Sequence, residues 1–96
     1  MNSRQRAQLR GMANSLNPLF QVGKGGLNNQ FVKQADDALE KRELIKLGVL
    51  ETAPDSPREV AEAVAGAVGA EVVQVIGRKF VLYRESKEHK AIQLVK

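Results

Sequence analysis

Leu19-Phe20-Gln21-Val22-Gly23-Lys24-Gly25-Gly26-Leu27-Asn28 is the stretch on which the fold turns. Leu19 to Val22 is short, apolar and bounded by Pro18 and Gly23, as a strand would be. Asn28 or Asn29 can cap a helix that begins directly after the glycines, with Phe31, Ala35, Ala38 and Leu39 as its buried stripe and Lys33, Asp36, Asp37 and Glu40 as its wet one. Strand, glycine turn and helix in that order indicate an α/β unit.

Working outward from this unit, the same logic covers the rest of the chain. Upstream, Ser3 is a plausible N-cap for a helix whose apolar residues Leu9, Met12, Ala13 and Leu16 recur at helical spacing and which Pro18 ends. Arg6 and Arg10 lie one turn apart on its expected exposed side. Downstream, from Leu44 to Leu50 the period becomes two, with Ile45, Leu47 and Val49 on one face and Lys46 and Gly48 on the other. Ser56-Pro57-Arg58-Glu59 has capping-box spacing with proline at the first helical position, and Gly69 is the expected stop of that helix. Glu71 to Ile76 and Phe80 to Arg84 read as a hairpin around Gly77-Arg78-Lys79. Ile92 and Leu94 can dock as a last short strand or stay loose. The order helix, strand, helix, strand, helix, strand, strand predicts an α/β layer fold with a mixed sheet, in one domain over residues 1–96.

Composition narrows the function classes. With no cysteine there is no disulfide framework and no thiolate metal site or nucleophile, which fits a reducing compartment, and a cytoplasmic location is expected. Met1 to Arg10 is polar and charged rather than an apolar leader, and no apolar run approaches membrane-spanning length. The net charge of +4 hides a strong segregation. Residues 1–35 carry five cations and no acid, residues 36–71 four cations against nine acids, and residues 72–96 six cations against two acids. If the two basic segments meet in space, one side of the molecule is an anion-binding face.

Gly23-Lys24-Gly25-Gly26 is where the chemistry concentrates. A Gly-x-x-Gly loop leading into a helix offers backbone N–H groups that no side chain shields, and the helix start adds partial positive charge, so phosphate is a natural guest. Lys24 can reach a second phosphate oxygen. The other reading, a tight strand-to-helix turn that needs glycine for positive φ, stays open on these four residues alone. The P-loop pattern is absent, because Gly25 follows Gly23-Lys24, and no dinucleotide fingerprint opens a unit, so a mononucleotide pocket is disfavoured.

Arg6, Leu9-Arg10, Ala13, Leu16, Pro18 and Gln21-Val22-Gly23-Lys24-Gly25-Gly26 together resemble the CRM domain, the chloroplast RNA splicing and ribosome maturation family, in its bacterial stand-alone YhbY-like form. The resemblance continues through Ala38-Leu39-Glu40, Glu43-Leu44-Ile45-Lys46, Val73-Gln74-Val75-Ile76-Gly77 and Leu82-Tyr83-Arg84. It implies an RNA-binding domain of three helices and a four-stranded mixed sheet, similar to the carboxy-terminal domain of translation initiation factor three. It further implies that the Gly23–Gly26 loop is the counterpart of the KH-domain GXXG clamp on RNA backbone, and that the partner is ribosomal RNA in large-subunit precursors.

The expected RNA-binding set is Gly23, Lys24, Gly25, Gly26, Arg4, Arg6, Arg10, Lys33, Lys46, Arg78, Lys79 and Arg84. For Arg4, Arg6 and Arg10 the competing reading is a solvated helix face, although residues 1–35 supply no acid to pair with them. Lys46 could instead guard a strand edge, and Arg78 and Lys79 could be ordinary hairpin-tip residues. Across the last strand, Arg84 is expected to face the ligand and Tyr83 the core. With no tryptophan and 4% aromatic residues, recognition should rest on backbone and shape rather than on an aromatic stacking platform. His89, the only histidine, has no neighbouring nucleophile or metal-ligand spacing, and the pairs Glu40/Glu43 and Glu59/Glu62 read as helix solvation and helix-start electrostatics. The expectation is a monomer that is not an enzyme and has no cofactor, metal or small-molecule substrate. The second reading is a protein adapter on ribosomal particles, docking through the acidic middle segment.

Overall fold

The structure, a computed structural model, describes all 96 residues. The elements are α1 (Ser3–Ala13), β1 (Gln21–Val22), α2 (Asn29–Arg42), β2 (Leu44–Val49), α3 (Pro57–Val68), β3 (Glu71–Ile76) and β4 (Lys79–Tyr83). The four strands form one sheet in the order β1-β2-β4-β3, with β1 parallel to β2 and the other pairings antiparallel. This is the mixed α/β arrangement that the sequence predicts.

The period of two in β2 divides the core into two layers. Ile45, Leu47 and Val49, with Phe80 and Leu82 of β4, face α2 and α3 and pack on Phe31, Ala35, Leu39, Val60, Ala61 and Val64. Leu44, Val81 and Tyr83 point the other way, where Leu9 and Ala13 of α1 cover them together with Ile92 and Leu94 of the C-terminal segment. Tyr83 is therefore a packing residue. The sheet is sandwiched, but unequally: two helices cover one face, while one helix and a length of tail cover part of the other.

Helix starts follow local chemistry. Ser56 and Glu59 form the capping box expected of α3, with Pro57 in its first turn, and Gly69 ends it in the left-handed conformation. Asn28 caps α2 by accepting from the Phe31 amide. At α1 the cap is Asn2, one residue before the expected Ser3, because Gln5 completes a reciprocal box with it. That helix also stops at Ala13, well before Pro18: Asn14, Ser15 and Asn17 favour turns over helix, and the Leu16 amide turns back to the Ala13 carbonyl.

Two further boundaries differ from expectation. Only Gln21 and Val22 are regular strand, although the Leu19 amide bonds the Lys46 carbonyl at 2.9 Å and the Phe20 carbonyl accepts from Gly48 at 3.1 Å, so the ladder extends past the strand's formal start. The hairpin pairs Ile76 with Lys79, leaving a two-residue turn with positive φ at Gly77 alone, the signature of a primed hairpin turn led by glycine. The C-terminal segment docks without forming a strand. Its backbone instead bonds to side chains: Gln5 and Gln8 of α1 reach Val95 and Gln93, and Glu40 and Glu43 take amides between Ser86 and Ile92.

Candidate nucleic-acid interface

The Gly23–Gly26 loop closes on a single backbone bond, Gly26 N–H to the Gly23 carbonyl at 3.0 Å, with Lys24 and Gly25 at the exposed corners. Only one of its glycines is demanded by the fold. Gly26 has φ +79°, and a Cβ there would meet Pro54 Cγ at 3.1 Å. Gly25 has neither constraint, since its φ is not positive and a Cβ would find nothing within 4 Å. Gly23 would make only an ordinary contact with Leu50. The turn reading therefore explains Gly26 and leaves Gly25 without a requirement from the fold.

Next to the loop, the start of α2 is electrostatically open. Its cap satisfies the Phe31 amide at 2.8 Å, and its first turn contains no acid. The amides of Asn29 and Gln30 lie ahead of the intrahelical ladder and have no partner within the chain. The start of α3 is different: Glu59 lies in its first turn and accepts from the Ser56 amide, and its carboxyl is held below the usual range by that bond and by the Ser56 hydroxyl.

The hairpin tip comes to the same end of the sheet. Arg78 donates from Nε to the Val49 carbonyl at 3.0 Å and from Nη2 to the Leu50 carbonyl at 2.6 Å, which ties the tip to the end of β2 beside Gly23. Those bonds use two of the five guanidinium N–H donors, and Arg78 is an exposed residue. Lys79 lies opposite Gly48 in the ladder, and Lys46 lies opposite Val81, so both lysines project from the sheet face that α1 only partly covers. They are diagonal neighbours, a spacing of roughly 7–8 Å in such ladders. Lys24 and Lys79 are exposed, Lys46 is half-buried, and none of the three has a carboxylate partner. Arg4 and Arg10 are exposed on α1, on this same side of the sheet, and are equally unpaired.

Besides Arg78, three of the expected cations have partners within the chain. Arg6 donates from Nη1 to the Val72 and Val73 carbonyls, fastening α1 to the edge strand β3. Arg84 sits on the α2/α3 side, bonding Asp36 and the Val68 carbonyl, and so clamps the end of α3 to the middle of α2. The expectation that Arg84 faces a ligand fails to anticipate this, because residue parity along β4 sends it toward the helices. Lys33 pairs with Asp37 one turn on, at 3.5 Å on an exposed helix face. Gly26, as described, is held by its own conformation. Of the cations expected in the site, Lys33 and Arg84 are the two on the α2/α3 side, and they are the two with carboxylate partners.

Two features escaped the sequence reading. Arg42, in the last turn of α2, stands near Lys46 without an ion-pair partner. Glu43, fully shielded from solvent, accepts from the amides of Ser86, Ala91 and Ile92 at 2.7–2.8 Å. Burial pushes the Glu43 carboxyl up, but these three N–H groups outweigh it and hold the carboxyl below its ordinary value. Glu40 accepts from the Ser86 hydroxyl and the amides of Lys87 and Glu88, and its carboxyl is pushed down to about 2. The one faint signal was an acid placed between a helix and an apolar strand, Glu43-Leu44-Ile45. No group of three or more His, Cys, Asp or Glu side chains is placed to hold a metal, and no helix is long and apolar enough to cross a membrane.

A glycine loop beside an open helix start, with unpaired cations on one side of a mixed sheet, is the arrangement that the family comparison meets. The CRS1 / YhbY (CRM) domain pattern matches residues 1–84. The chain belongs to that family. It is 47% identical over 94 residues to a Bacillus subtilis protein named probable RNA-binding protein YqeI, covering 98% of each chain. A Haemophilus influenzae protein named RNA-binding protein is 35% identical over 94 residues, covering 98% of this chain and 94% of that one. The solution structure of SAV1595 from Staphylococcus aureus superposes with a TM-score of 0.82 at 48% identity and 99% coverage of both chains. This CRM domain thus has relatives of nearly its own length.

Proposed function

We propose that this CRM domain binds RNA by its phosphate backbone. The bare amides of Gly23–Gly26 and the start of α2 cradle one phosphate, and Lys24, Arg78, Lys79 and Lys46 line the path of its neighbours. Arg4 and Arg10 extend the same side of the molecule, whereas Lys33, paired with Asp37 on the α2/α3 side, stands outside this path. The observation that carries this reading is the exposed glycine loop at the acid-free start of α2, beside Lys24, Arg78 and Lys79, none of which has a carboxylate partner. The names of the relatives support the polymer class. The family resemblance extends the reading to ribosomal RNA in large-subunit precursors and a role in ribosome assembly, and the composition extends it to a cytoplasmic, non-enzymatic protein that acts as a monomer.

The test is Lys24→Glu combined with Arg10→Glu. RNA binding by fluorescence anisotropy and co-sedimentation with large-subunit precursors should both be lost, while the thermal midpoint stays within a few degrees of wild type. For the wild-type protein, log affinity against log salt should fall with a slope of roughly −0.7 per phosphate contact on single strands. A flat salt response would overturn the reading. Sedimentation that survives the double substitution would favour the adapter, docking through the acidic middle segment, residues 36–71.

A further inference from the structure

Between the end of α1, the start of β2 and the end of α2 lies a groove of about 380 Å³. Met12, Leu16 and Leu19 are among its apolar lining, and Asn17, Arg42 and Lys46 supply the polar groups. Met12 and Leu19 are each 41% exposed, a substantial apolar surface to leave open in so small a domain. No carboxylate lines the groove, and neither Arg42 nor Lys46 has an ion-pair partner.

We infer that this groove seats one unstacked base of a single-stranded RNA whose phosphates are held at the glycine loop. The inference rests on the RNA-binding reading and adds a base site to it. An occupant must be apolar and flat enough to lie against Met12, Leu16 and Leu19, and it must bring negative charge to Arg42 and Lys46. A nucleotide joins both properties in one unit. Recognition of single-stranded RNA commonly stacks splayed bases on aromatic or guanidinium surfaces and bonds their edges. The Asn17 amide can both donate to and accept from a base edge, and the Arg42 guanidinium has a planar face. The sequence lacks an aromatic platform, and an aliphatic slot between a helix end and a strand is the substitute this fold offers.

The geometry of β1 links the two sites. Leu19 is at the groove and Gly23 begins the loop, with the extended segment between them spanning about 13 Å at ~3.3 Å per residue. That segment is the outer edge of the sheet, since β1 pairs only with β2, so a strand of RNA can run along it from loop to groove without crossing another element.

The experiment compares a single-stranded RNA heptamer of mixed sequence with an abasic ribose-phosphate chain of equal length, for the wild-type protein and for Met12→Ser/Leu19→Ser. Wild type should bind the RNA about tenfold more tightly than the abasic chain, the size of one base contact. The double variant should reduce that ratio to less than twofold while its affinity for the abasic chain is unchanged. The Met12, Leu16 and Leu19 methyl resonances should shift on saturation with RNA and stay put with the abasic chain. Asn17→Ala, at an exposed position, should flatten preference among bases without altering the fold. A ratio that survives the double substitution overturns the base site while leaving backbone binding in place. Methyl resonances unmoved by saturating RNA also overturn it, and would suit a groove that takes a protein side chain. Failure of both polymers to bind overturns the base site together with the RNA-binding reading.

Discussion

The two ends of α2, about 20 Å apart for a helix of 14 residues, present the same chemical problem and solve it in opposite ways. At its C-terminal end, Glu40 and Glu43 collect five backbone amides of the segment from Ser86 to Ile92, so the chain supplies both the donors and the anions. At its N-terminal end, the loop and the first turn hold out amides and cations with no acid of their own. Amides that the chain satisfies internally fix structure. Amides left open beside unpaired cations are available to an anion from outside.

The strongest way to break this comparison is to remove the internal anion. Glu43→Ala strips three amides of their acceptor and leaves a void under the tail, and it should cost about 3 kcal/mol in urea unfolding. Glu43 also adopts φ +66° at the end of α2, a strained conformation for a non-glycine residue that the surrounding bonds hold in place. Hydrogen exchange at Ser86, Ala91 and Ile92 should accelerate most. Affinity for the abasic ribose-phosphate chain, measured where the variant is still folded, should stay within twofold of wild type, because that chain engages the loop and not the groove that Ile92 lines. An affinity loss matching the stability loss would mean that the two ends do not act separately.

Acid provides a gentler version of the same test. Both clasp carboxyls titrate below the ordinary 4.5 in the folded protein, Glu40 at about 2, so the unfolded chain takes up protons first as pH falls. Their stabilisation is therefore complete above pH 4.5 and is lost progressively toward about pH 2. Tail amides should lose exchange protection in that window, and amides of Lys24 to Gly26, which no carboxylate holds, should show no matching transition. Simultaneous loss at both ends would point to global acid unfolding instead of release of a clasp.

The contrast also explains what could be read from the chain alone. Element order, the two faces of β2, the α3 cap and the Asn28 cap were legible because each is written in residues three or four positions apart, or in strict alternation. The position of the glycine loop at a helix start was legible for the same reason. Arg6 and Arg84 were not separable from the free cations, because their partners are main-chain carbonyls and an aspartate 16 to 67 residues away, brought close only by packing. The Glu43 clasp escaped for a related reason: its ligands are amides, which every residue has, so sequence carries no mark of which will be used. Lys33 looked like Lys24 in composition but lies on α2 with Asp37 one turn further on.

The finest division lies inside the loop, between Gly26 and Gly25. Gly26→Ala forces a left-handed φ on alanine and presses its methyl toward Pro54, so about 1–2 kcal/mol of stability should be lost. Gly25→Ala meets open space at a φ that alanine accepts, and reduced freedom of the unfolded chain offsets any small cost, so stability should change by no more than about 0.5 kcal/mol. The same methyl stands at an exposed corner of the phosphate cradle, where it crowds an approaching oxygen, and RNA affinity should fall roughly tenfold, the value of one hydrogen bond to a charged group. Paired urea unfolding and anisotropy titrations on the two variants would read this out. A Gly25→Ala protein with wild-type stability and wild-type affinity would reduce the loop to a turn and transfer the burden of binding to the cations alone.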